Sequence, residues 1–215
     1  MIQLYVADIT QLPNPEKCPE LLKGLPSERI TKIRSARQED HKKQMLGAGL
    51  LLQRVLALCF DGGDCNFKYS VGEHGKPKVE GLEYNLSHSG NFVICAVSDK
   101  PIGCDVEKIR KAPKEIAERF FAEGEKQYLA RASVEQYDEE FFRIWTMKES
   151  FVKMTGEGLS LSMATYEIVM GERGQVLRDG RLQECYITEF AVDGYRIAVC
   201  SEKAGSVETI RVELN

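Results

Sequence analysis

The sequence predicts an α+β protein made of two similar halves that meet near residue 100. Its 215 residues fit one large domain or two small ones packed together. Hydrophobic residues make up 43% and charged residues 29%, the balance of a globular chain rather than a disordered one. The two halves also share a plan, in which a long helical stretch leads to strands ending in an apolar segment. That segment runs from Gly90 to Ser98 in the first half and from Gly194 to Ser201 in the second. The alternative is that two strands of like composition resemble one another by chance. The expected halves are residues 1–100 and 101–215.

Residues 1–10 read as a strand. Residues 11–26 hold four of the seven prolines and read as a loop with a short helical turn. Ser27 is expected to N-cap a helix starting near Glu28. From Arg37 to Cys59, Leu46, Leu50, Leu51, Val55 and Leu58 give an apolar stripe near 3.6 periodicity, so a long helix is expected. Asp61-Gly62-Gly63-Asp64 should end it. Phe67–Val71 is strand-like and Gly72–Pro77 is a turn. The segment Asn85–Ser98 carries a strong strand at Phe92–Val97. Asp99-Lys100-Pro101 then turns the chain into a strand from Ile102 to Ile109. In the second half, 115–121 and 124–131 read as short helices and Glu139–Thr155 as a long one. Strands are expected near 166–170, 185–192, 195–200 and 210–214.

Several function classes lose ground on composition. The net charge of −4 disfavours a protein that coats nucleic acid. No apolar run approaches the roughly 20 residues of a membrane span. The first residues lack a basic start and apolar core, so no export signal is expected, and the seven cysteines are expected as reduced thiols of a cytoplasmic protein. Neither they nor His41, His74 and His88 show zinc-ligand spacing.

Some residues carry chemistry. In a strand over Gly103-Cys104-Asp105-Val106-Glu107, side chains alternate faces. Ile102, Cys104 and Val106 then face a core, and Asp105 and Glu107 point together the other way. Their repulsion would be relieved by a hard divalent cation such as Mg²⁺; the plainer reading is a pair facing water. On a helix through Phe141–Lys153, Ile144, Met147, Phe151 and Met154 share one face, and Trp145, Glu149 and Lys153 form a row along another flank. Lys148 falls on the apolar side, where an ammonium must snorkel or find an anion. Asn85-Leu86-Ser87-His88-Ser89 offers donors suited to phosphate oxygens. No Gly-x-Ser-x-Gly elbow supports a hydrolase at Ser87-His88. Gly75-Lys76-Pro77 presents a lysine on a turn. Arg29, Lys32, Arg34, Arg37, Lys42 and Lys43 form a basic run whose commonest fate is a solvated helix face.

The order Gly-Lys-Pro, Asn-Leu-Ser-His-Ser, Gly-Cys-Asp-Val-Glu-Lys, then Trp-Thr-Met-Lys-Glu-Ser-Phe-Val-Lys resembles the 4′-phosphopantetheinyl transferase superfamily, and within it the Sfp-type enzymes of the surfactin-synthetase class. The resemblance runs from about residue 28 to 200. It implies two α/β subdomains related by a pseudo-twofold axis, with the active site at their interface. Basic coenzyme A-binding residues would lie in the first, and the metal-binding carboxylates and catalytic helix in the second.

Such enzymes move the phosphopantetheine arm of coenzyme A onto a serine of an acyl or peptidyl carrier protein and release adenosine 3′,5′-bisphosphate. By matching positions, the resemblance implies that Asp105, Glu107 and Glu149 hold Mg²⁺, with Mn²⁺ as an alternative. Glu149 would be the base, Lys153 would face the phosphates, and Lys148 would bind the same anion from the other side. Ser87 and His88 would contact phosphates, Lys76 and Pro77 the adenosine. Arg29, Lys32, Arg37 and Lys42 would surround the 3′-phosphate. The loop 109–121, with Phe120 and Phe121, is the expected carrier contact, with core packing as the alternative for those rings. A monomer is expected, with no nucleic-acid or membrane partner. The rivals are a metal-dependent phosphodiesterase, which needs no carrier, and a non-catalytic coenzyme A-binding module, which would lack one carboxylate. Fatty-acid, polyketide and nonribosomal-peptide carriers all fit the resemblance.

Overall fold

A computed structural model describes residues 1–60, 69–71, 77–158 and 161–214. The strands β1 (Ile2–Asp8), β4 (Glu83–Ser89), β5 (Phe92–Ser98) and β12 (Val207–Arg211) form one sheet, ordered β12-β1-β5-β4. β6 (Ile102–Lys108), β10 (Tyr186–Val192) and β11 (Tyr195–Ser201) form a second, ordered β10-β11-β6. Small antiparallel sheets of β2 (Tyr69–Val71) with β3 (Pro77–Val79), and of β7 (Tyr166–Val169), β8 (Gln175–Arg178) and β9 (Arg181–Leu182), flank them.

Side-chain alternation explains why β1 and β5 are apolar on both faces. Tyr5, Ala7, Val93, Cys95 and Val97 pack with Leu46, Leu51 and Val55 of the long helix α2 (Glu39–Cys59). Ile2, Leu4, Val6, Ile94 and Ala96 point the other way, into a core completed by Ile102, Cys104 and Val106 of β6 and Ile197 and Val199 of β11. The far face of β11, at Ala198 and Cys200, packs with Met147, Phe151 and Met154 of the helix α5 (Val134–Thr155). The layers are therefore α2, sheet, sheet, α5. Both sheets use the same connectivity: in β1-β5-β4 and in β6-β11-β10, the last strand in sequence lies between the other two, and a long helix follows the first strand. Among the described residues, no helix is long and apolar enough to cross a membrane.

The helices follow local rules. α5 starts where the Ser133 side chain accepts the Gln136 N–H, and it stops at Gly156, whose φ of 73° suits a residue without Cβ. Glu39 and Asp40 open α2, where their charge complements the helix dipole.

Several expectations are corrected. Ser27 does not cap α1 (Ser27–Ser35): it is the first helical residue, after Pro26 at the cap position. α2 begins at Glu39, and Arg37 lies in the link before it. The expected strand at Phe92–Val97 is present as β5, and β4 pairs with it in a hairpin turned at Gly90-Asn91. α5 begins five residues before Glu139, and β12 begins at Val207. Phe121 is buried, stacked 5.1 Å from Phe141, after the short helix α3 (Lys114–Phe120). The expected helix stop at 61–64, the strand start at 67–68 and the turn at 72–76 lie outside the described residues.

Candidate active site

β4 and β6 run side by side in different sheets, and side chains join them. Asn85 Oδ1 accepts the Cys104 N–H at 3.0 Å, Ser87 Oγ the Val106 N–H at 3.4 Å, and Ser89 Oγ the Lys108 N–H at 3.1 Å. A period of two on each strand makes this seam work. The same hydroxyls donate to the carboxylates across from them: Ser87 to Asp105 Oδ1 at 2.8 Å and Ser89 to Glu107 Oε2 at 2.8 Å. The motif Asn85-Leu86-Ser87-His88-Ser89 is thus a fastener that fixes both acids.

α5 crosses behind the seam. Its close approach requires Gly103, because a Cβ there would stand 2.1 Å from the Ser150 carbonyl oxygen and 2.4 Å from the Met154 nitrogen. That contact sets the flank carrying Trp145, Glu149 and Lys153 over Asp105 and Glu107. These five side chains, with Leu86, Ser87 and His88, line a cleft of about 320 Å³. Lys153 Nζ lies 2.6 Å from Asp105 Oδ1 and 3.2 Å from Ser87 Oγ. Burial works against its ammonium, but the charges of Asp105 and Glu149 outweigh it and hold its pKa above the usual lysine range. Burial likewise pushes Glu149 above the ordinary carboxyl range; Asp105 and Glu107 add to the rise and Lys153 opposes it. Burial, then the neighbouring charges of His41, Lys153 and Arg29, drop His88 to about 4, so its imidazole is neutral near pH 7.

The structure brings the six side chains Ser87, His88, Asp105, Glu107, Glu149 and Lys153 together in this one cleft. Arg29 stands nearby, half-buried, donating to the Met45 carbonyl at 3.3 Å. Other expected residues lie elsewhere. Lys42 is turned into a crease with Glu16, Leu22 and Ile33, and its ammonium is paired with Glu16. Lys148 points into the core on the far side of α5, bound to Glu125, because its helix phase is that of the apolar stripe. Lys32 is exposed and paired with Glu28 at 2.7 Å, and Arg37 is exposed. Lys76 lies outside the described residues; Pro77 opens β3, and its side chain lies outside them too.

His41 was not singled out from the sequence as a site residue. Its ring meets that of His88 edge-on at 5.7 Å. The readable signal is helix phase: Gln44, three residues on, donates to the Gly90 carbonyl at 3.0 Å, so this face of α2 covers the β4–β5 turn.

The acids are donors of the type a hard divalent cation takes. Asp105 Oδ2 is buried and, among the described residues, has no hydrogen-bond partner, and three carboxylates face one cleft. Among the described residues, no three acid, imidazole or thiol groups enclose a cation site by themselves. Asp105 is engaged by Lys153, and Glu107 by Ser89 and by Arg110 at 3.0 Å.

Known proteins resemble this chain in sequence. Residues 101–200, from the β6 strand to the end of β11, match the model of the 4′-phosphopantetheinyl transferase superfamily. The chain is 37% identical over 171 residues to the 4′-phosphopantetheinyl transferase Sfp of Bacillus subtilis (strain 168), covering 76% of this chain and 75% of that protein. The chain belongs to the 4′-phosphopantetheinyl transferase superfamily. It falls among the Sfp-type members. It is 33% identical over 204 residues to the transferase ffp of Bacillus subtilis, covering 91% and 90% of the two chains. It is also 30% identical over 172 residues to the transferase gsp of Aneurinibacillus migulanus, covering 79% and 72%. The phosphopantetheinyl transferase match on 101–200 takes in every acid of the cleft, while Ser87 and His88 precede it.

Proposed function

We propose that this transferase moves 4′-phosphopantetheine from coenzyme A to a serine hydroxyl of an acyl or peptidyl carrier protein, with release of adenosine 3′,5′-bisphosphate. The observation that carries the reading is the meeting of Asp105, Glu107, Glu149, Lys153 and His88 in one cleft of a family member. The serine oxygen attacks the β-phosphorus, the bond to the bridging oxygen breaks, and the nucleotide leaves. Glu149 takes the serine proton, directly or through water. Lys153 offers a permanent cation to the charge growing on the departing phosphate. His88, neutral, donates a hydrogen bond to phosphate oxygens, and Arg29 supplies charge beside it.

Asp105, Glu107 and Glu149 would hold Mg²⁺ or Mn²⁺. When bound, that ion neutralises the diphosphate and its leaving oxygen. The carboxylates are held for that task by Ser87 and Ser89. The repeated connectivity of the two sheets supports halves over 1–100 and 101–215 related by a pseudo-twofold axis, with the cleft between them. The half-buried Phe120 and the exposed side of α3 are the proposed carrier contact. A monomer working in the cytoplasm completes the reading.

Intact-mass spectrometry of apo carriers incubated with the enzyme, coenzyme A and Mg²⁺ tests it. A gain of one phosphopantetheine is expected, abolished by chelation and reduced at least about a thousandfold in Glu149→Gln. No gain on fatty-acid, polyketide and peptide carriers would overturn the reading.

A further inference from the structure

Lys148 adjoins the proposed base, yet its ammonium is fully buried and fully used. It donates to both oxygens of Glu125 at 2.7 Å and to the Tyr166 carbonyl at 2.8 Å, and it lies 4.4 Å from the centre of the Tyr166 ring. Glu125 is equally buried and also accepts the Ile168 N–H at 2.6 Å and the Ala122 N–H at 2.7 Å. Tyr166 returns a hydrogen bond from its hydroxyl to the Lys148 carbonyl at 2.9 Å. One ion pair therefore ties α5 to β7 and to the start of the short helix α4 (Glu123–Leu129).

Stability alone does not account for such a pair. A buried ion pair is often replaced by neutral groups of like volume at little cost. Geometry supplies a reason to keep it. An apolar stripe tolerates small rotations and slides of a helix, whereas an ammonium with three fixed acceptors does not. At 3.6 residues per turn, adjacent side chains are about 100° apart, so fixing Lys148 fixes the direction of Glu149. The pair also backs the cleft wall: Lys148 Nζ lies 6.0 Å from the Phe121 ring centre, and Phe121 stacks on Trp145 at 6.5 Å.

We infer that Glu125 and Lys148 are positioning residues, a lock that sets the rotation of α5 and so aims Glu149 and Trp145 at the cleft. This rests on the proposed transfer reaction for its catalytic consequence, though not for its structural one.

The double variant Glu125→Gln/Lys148→Met tests it, because it removes both charges together. Trp145 is the sole tryptophan of the chain, so its emission reports the cleft wall without substrate. The variant should melt within a few degrees of the wild type and bind coenzyme A within about twofold of it. Its kcat should fall about tenfold or more, the scale of a small misplacement. Trp145 should become more accessible to acrylamide. A folded double variant with wild-type kcat and wild-type quenching would overturn the lock. If the double variant does not fold, Tyr166→Phe decides: it keeps both charges and loses one tie. Smaller changes in kcat and quenching are then expected, and no change in either would overturn the inference. Failure of the wild type to modify any carrier would instead remove the transfer reading, and the quenching result would still judge the lock.

Discussion

His88 stands at the lip of the cleft as a neutral imidazole among His41, Arg29 and Lys153, and that costs stability in acid. Its pKa is about 4 when folded against 6.5 unfolded, so unfolding takes up a proton between those values. Stability is therefore unaffected above about pH 6.5 and is lost as the pH falls from there toward 4. Because the ring is partly open to solvent, the expected loss is about 2 kcal/mol rather than the full shift. Urea unfolding of wild type and His88→Gln at pH 7.5 and 4.5 measures it: the wild type should lose that much more than the variant. An equal loss in both would show that the imidazole is not held neutral. At this scale the sequence was legible where a period decides. Alternation placed Asp105 and Glu107 on one face, and helix phase put Trp145, Glu149 and Lys153 in one row. The partners of Ser87 and Ser89 were not legible, because Asp105 and Glu107 lie 18 residues away in another sheet. Lys148 was misassigned by the resemblance, although its helix phase already pointed to the core.

The contact that makes the cleft is that of β6 with α5, and it turns on Gly103. Any Cβ there meets helix backbone, which cannot swing aside as a side chain can. Gly103→Ala should push α5 outward and destabilise the fold by about 3 kcal/mol or more. Because the shift moves Glu149 away from Asp105, activity should drop even at temperatures where the variant is folded. Denaturant midpoints and carrier modification at low temperature check both parts. A variant with wild-type stability would mean that the helix and strand are not in that register. The apolar stripe of α5 was plain in the sequence, but its first turns were not: Val134–Asp138 carries polar residues and an exposed valine, which give no stripe to read. β4 was not singled out as a strand for a related reason. Its polar residues are paid for by β6, and nothing in Glu83–Ser89 alone announces that partner.

At the scale of the whole molecule, the two proposed halves share a core. Ile2, Leu4, Val6, Ile94 and Ala96 from residues 1–100 pack directly on Ile102, Cys104, Val106, Ile197 and Val199 from residues 101–215. The C-terminal strand β12 also returns to pair in parallel with β1, from Ile2 against Val207 to Val6 against Arg211. Repetition in the sequence pointed to two units, but it carried no sign of how they meet, because β1 and β5 read as apolar on both faces whichever element covers each face. Separating the halves would expose an apolar sheet face on each and leave β1 with an unpaired edge, a surface that favours aggregation. Residues 1–100 and 101–215 expressed apart should each lack cooperative folding, and the intact chain should unfold in one step. Calorimetry should give a single transition whose van't Hoff and calorimetric enthalpies agree. Two resolved transitions, or a soluble and cooperatively folded 1–100 fragment, would show that the inter-sheet core binds the halves too weakly to couple them. In that case the cleft between β4 and β6 could open without unfolding either half. A single transition means that the acids on β6 and the serines on β4 are held together by the stability of the entire chain.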